Sequence, residues 1–61
     1  METNLVLAVR KSLNETQERF ADRLGVGVRS LKRYEAEEVL PRNAAVRRLL
    51  FALAKKQGIE P

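Results

Sequence analysis

Apolar positions in this chain recur every three or four residues and never settle into alternation, the period of helix rather than strand. Over Asn4–Leu13, Val6, Val9 and Leu13 fall on one stripe at i, i+3 and i+7, and Arg10 falls on the same stripe. A cation on an inward face requires a counter-ion. Thr16 suits the N-cap of a two-turn helix over Gln17–Leu24, which turns Phe20, Ala21 and Leu24 inward, and Gly25 suits the left-handed residue that ends it. Val26 and Gly27 leave only a tight turn before a third helix from Val28 to about Ala36. Gly27 serves there as N-cap, and Val26 packs on Leu31 as a hydrophobic staple. Leu31 and Tyr34 face inward with Glu35 beside them, while Arg29, Lys32 and Arg33 occupy the other side. Pro41 bars helix across the residues before it, and Asn43 caps a longer helix from Ala44 to about Gln57, closed by Gly58. Its expected inner stripe is Val46, Leu49, Leu50, Leu53 and Gln57. Phe51 points well off that stripe, and Leu40 and Ile59 lie outside the helix.

The pattern predicts an all-α protein, and 61 residues hold one small domain, 1–61, with no linker or repeat inside it. A chain of this size buries only about 60% of the surface its unfolded form exposes, so modest stability is expected and a partner subunit would add to it. There is no cysteine and no histidine, which excludes a disulfide framework and a thiolate or imidazole zinc site. A metal-free, cofactor-free domain is expected. The longest apolar run, Leu49–Ala54, is far below the ~18 residues that span a bilayer, and residues 1–13 lack the charge order of a signal peptide. These features predict a soluble, cytoplasmic protein without a membrane partner.

Charge changes the picture. The chain carries a formal +4, unevenly placed. Residues 1–22 are close to neutral, whereas Arg23, Arg29, Lys32 and Arg33 follow with no acid among residues 23–34. Glu35, Glu37 and Glu38 then form an acidic knot, and Arg42, Arg47, Arg48, Lys55 and Lys56 come after it with no acid among residues 39–59. Basic blocks of this kind attract polyanions over a Debye length of roughly 8–10 Å, and nucleic acid is the usual partner. Catalysis has no support: Ser12 and Ser30 are the only serines, no imidazole base exists, and the carboxylates are scattered or paired with cations.

Two short helices joined by a Gly-Val-Gly turn, the second with a cationic outer face, form a helix-turn-helix signature over 16–36. The run from Thr16-Gln17 through Phe20-Ala21, Leu24-Gly25-Val26 and Leu31 to Tyr34-Glu35 resembles the phage repressor and Cro-type (XRE) helix-turn-helix family. That resemblance implies a compact four- or five-helix lambda-repressor-like fold. It also implies sequence-specific binding of double-stranded DNA by a homodimer on an inverted-repeat operator, as a small transcriptional regulator and typically a repressor. By the same resemblance Val28, Arg29 and Arg33 face base edges from the recognition helix 28–35. Gln17, Lys32, Arg42 and Arg10 meet phosphates, and Arg10 with Glu35 forms an ion pair that orients the recognition helix. Arg29 suits direct readout, since a guanidinium can bind guanine O6 and N7 bidentately, and Val28 suits a thymine methyl. Leu40, Phe51 and Ile59 are the apolar residues assigned to a dimer interface. The sequence departs from the family pattern at Gly27, which offers no hydroxyl to a phosphate, at Ala36 in place of glycine, and at the acidic Glu37-Glu38. Family members of this size also serve as antitoxins or adaptors, and the chain also fits the DNA-binding part of a longer repressor; these are the rival readings.

Overall fold

The structure is a computed structural model that describes residues 4–59. Those residues form four helices, α1 (Leu5–Leu13), α2 (Gln17–Leu24), α3 (Val28–Glu37) and α4 (Ala44–Lys56). Each start is capped as its local sequence dictates. The Asn4 side chain accepts from the Leu7 N–H, Thr16 from Arg19, and Asn43 from Ala45 and Val46, so donors that the first turn leaves orphaned find acceptors. Gly27 caps α3 with backbone geometry alone. Gly25 ends α2 at φ 80°, a left-handed conformation open to glycine without steric cost. Two non-glycine residues adopt the same region at helix ends, Asn14 after α1 and Glu38 after α3.

Helix α2 packs on α3 and α4, and α1 packs on the same two helices. The core lies where these contacts meet. Leu5, Val6 and Val9 of α1, Phe20, Ala21 and Leu24 of α2, Leu31 of α3, and Leu50 and Ala54 of α4 make up the buried cluster. Truncating a fully buried Phe20 or Leu50 in such a core costs about 3–5 kcal/mol, comparable to what a domain this small has in total.

The fourth helix is rotated from its expected setting. Leu50 and Ala54 are its buried residues, Val46, Phe51 and Leu53 are packed against the core, and Leu49 is 38% exposed. Gln57 is exposed and serves as C-cap rather than as part of the inner stripe. Leu49 and Gln57 therefore leave the predicted stripe, and Phe51 and Ala54 join it. The cause is tertiary: α4 must cover both α1 and α2, and the small Ala54 allows close approach where a larger residue would hold the helix away. Ile59, beyond the helix, also folds back on the core. Helix α3 does not pack extensively on α4. The 38–43 loop spans the space between them, anchored by a fully buried Pro41 whose carbonyl accepts from Arg47 Nη1 at 3.4 Å.

Candidate nucleic-acid interface

The turn Gly25–Gly27 sets α3 across α2, with Leu31 fully buried as the anchor of the second helix. Around that anchor the two sides of α3 differ. Arg29, Lys32, Arg33 and Ala36 are exposed, at helical spacing that makes one ridge. Val28 and Glu35 are half-buried on the inner flank, and Val28 packs against the core. Arg29 and Lys32 have no hydrogen-bond or ion-pair partner among the described residues. Arg33 points back along the helix to Glu37, with Nε 3.2 Å from Oε1 in an exposed i,i+4 pair worth about 0.3–0.5 kcal/mol.

Behind the ridge, Glu35 gathers three helices. Arg10 Nε donates to its Oε2 at 2.6 Å and Arg10 Nη2 to its Oε1 at 3.3 Å, a bidentate ion pair whose side chains are 18% and 7% exposed. Gln17 Nε2 donates to the same Oε1 at 3.0 Å, and Asn4 Nδ2 donates to the Glu35 backbone carbonyl. Arg10 Nη1 further donates to the Glu15 carbonyl at 2.9 Å, fixing the corner between α1 and α2. No buried side-chain nitrogen or oxygen among the described residues lacks a partner. The arrangement ties α1, α2 and the inner flank of α3 into one frame, so the outer ridge is held at a fixed angle.

The structure brings Arg10 and Glu35 into the expected ion pair. It adds Gln17 and Asn4 to that pair, which the sequence reading did not include. Asn4 before an apolar run is an N-cap signal, but its second role, reaching a residue 31 positions away, has no local trace. Gln17 stands first in α2, where the backbone N–H lies outside the helix ladder and the macrodipole favours an anion. That N–H and the second hydrogen of the side-chain amide have no hydrogen-bond partner among the described residues. Arg10 commits three of its donors internally, so its part in any phosphate contact is secondary to orientation. Arg42 is exposed in the 38–43 loop and lines one open groove of about 370 Å³ with Arg33, Tyr34, Val39 and Leu40.

A second ion pair also escaped the sequence reading. Arg23 donates to the Glu15 carboxylate across the start and end of α2, and this hydrogen bond holds the Glu15 carboxyl below its ordinary range and pushes the Arg23 guanidinium up. The described residues contain no group of three or more His, Cys, Asp or Glu that could hold a metal, and no helix long and apolar enough to cross a membrane.

A helix-turn-helix family model matches residues 6–56, which span all four helices. The chain therefore belongs to the XRE-like helix-turn-helix family, and its all-α four-helix architecture agrees with the lambda-repressor-like fold. The family points in general to DNA binding and regulation rather than catalysis. Among curated proteins and solved structures nothing matches the chain.

Proposed function

We propose that this protein is a cytoplasmic, sequence-specific transcriptional regulator that binds double-stranded DNA with α3 in the major groove. The observation that carries the reading is the contrast across α3: the inner flank is locked through Glu35 while Arg29 and Lys32 stand exposed and unpaired on the outer ridge. Arg29, in the first turn, is the residue proposed to meet a guanine edge, and Val28 offers its remaining surface to a thymine methyl. Lys32 and the α2 N-terminus at Gln17 meet phosphates on either side, with Arg42 reaching backbone from the loop and Arg33 a second base contact once it leaves Glu37.

Two copies would read half-sites about 34 Å apart on an inverted repeat. With these three phosphate contacts per subunit, log affinity falls against log salt with a slope of order −5 for the dimer. Selection of binding sites from random duplexes, followed by gel shifts at two salt concentrations, tests this. A recovered palindromic motif and a steep salt dependence are expected. A monomer that ignores DNA at low salt would overturn the reading and leave the chain as a protein-interaction module.

A further inference from the structure

We infer that Glu37 is a specificity-determining residue of the α3 surface: its carboxylate withholds Arg33 from the phosphates of unmatched DNA and releases it to a matching base. The inference rests on the DNA reading and concerns how the same ridge discriminates between sequences.

Arg29, Arg33 and Glu37 follow one another at i, i+4 and i+8, so one row of α3 carries two cations and then an acid. Arg33 is the one ridge cation with a partner among the described residues, its Nε donating to Glu37 Oε1 at 3.2 Å. The two side chains are 70% and 55% exposed, so the pair is held at the surface and can exchange one partner for another. Glu35, two positions earlier, is the opposite case. It is 7% exposed and tied to Arg10 and Gln17, and it serves the frame.

The stability of α3 does not account for Glu37. It stands in the last turn, where the macrodipole favours cations, and α3 has no basic residue in that turn. Arg before Glu is also the weaker order for an i,i+4 pair. Glu38 adds a second carboxylate at a left-handed φ of 55°, which glycine would adopt without strain. Residues that run against local preference are expected where a surface has a task other than folding.

That task follows from the two ways a guanidinium gains from DNA. Non-specific binding comes almost wholly from charge brought to the phosphates and the counterions released in exchange. Arg33 and Glu37 held together bring no net charge, so an unmatched duplex gains little by drawing Arg33 off its carboxylate. A matching base offers directional, bidentate hydrogen bonds that exceed the exposed pair in strength, and these do draw it off. Arg29 and Lys32 carry no such restraint and lend their charge to any duplex.

Equilibrium binding of the full chain at several salt concentrations tests the inference, using two duplexes of equal length: the motif selected from random duplexes and a scrambled version of it. Glu37→Gln is expected to raise affinity for the scrambled duplex at least about fivefold at ~0.1 M salt, with a salt slope steeper by about one per subunit. The ratio of motif to scrambled affinity should fall about threefold. Glu38→Gln removes the same charge from a side chain with no partner among the described residues, and should leave that ratio unchanged. Arg33→Gln should weaken only motif binding in the wild type, and both duplexes in the Glu37→Gln background. All three positions are exposed, and thermal unfolding checks that each variant folds. Equal gains on both duplexes from Glu37→Gln overturn the inference and leave DNA binding standing. So does an equal fall in the ratio with Glu38→Gln, or a Glu37→Gln effect that persists in the Arg33→Gln background. A wild type that binds neither duplex overturns the DNA reading itself, and the inference with it.

Discussion

Arg10 and Arg29 are the same residue type on opposite sides of one short helix, and the fold treats them in opposite ways. Arg10, four-fifths buried, has three donors committed to Glu35 and Glu15, whereas Arg29 is exposed with no partner among the described residues. A guanidinium taken out of water is held only if its donors are satisfied, so Arg10 belongs to the frame. One left in water keeps its full donor set free, so Arg29 belongs to the solvent-facing ridge that is proposed to meet DNA. Changes on the Glu35 side should act on folding, and changes on the ridge should act on binding without touching stability.

The largest effect falls on the frame. Glu35→Ala strands Arg10 in a largely buried site and frees the Gln17 amide, and is expected to cost about 3 kcal/mol in urea unfolding, enough to leave much of this small domain unfolded. A loss below about 1 kcal/mol would mean that the frame does not hold α3 as described. Next comes Arg29→Ala, which should leave the unfolding midpoint within about 0.5 kcal/mol of wild type while weakening operator binding by about 1–3 kcal/mol and relaxing preference at one base pair per half-site. An unchanged selected motif would remove Arg29 from direct readout.

A smaller effect separates positioning from reading on the ridge itself. Lys32→Ala is expected to weaken all sequences alike and to reduce the magnitude of the salt slope by about one per subunit, with the motif unaltered. The mildest change concerns Glu15, outside both regions. Its folded-state carboxyl is lowered by the hydrogen bond from Arg23, so the pair contributes stability above the ordinary glutamate value of about 4.3 and loses it as pH falls through the lowered value. Melting curves of wild type and Glu15→Gln should therefore differ at neutral pH and converge in acid; a gap that widens in acid would reverse the assignment.

Much of this is legible in the sequence. The caps Thr16, Gly27 and Asn43, the left-handed Gly25, and the inward Phe20, Leu24 and Leu31 follow from spacing and local hydrogen-bond chemistry, which act within a turn or two. The Arg10–Glu35 pair was also legible, because each is a charge on an apolar stripe and a buried charge needs its opposite. The expected stripe takes in Leu49 and omits Ala54 because α4 is nearly as apolar on its flanks as on its inner face. Several rotations bury similar area, and the choice among them belongs to the packing of α1 and α2.

By itself the sequence determined the all-α class, the helical segments to within a residue or so at their ends, the helix-turn-helix and the cationic ridge, since all of these are set by residues close together in the chain. Only the tertiary structure decided that Gln17 and Asn4 join Glu35, that Glu15 meets Arg23, and that Val39 and Leu40 stand open beside Arg42. Such contacts depend on how rigid helices stack, and residues far apart in the chain carry no periodic signal of where the others will lie.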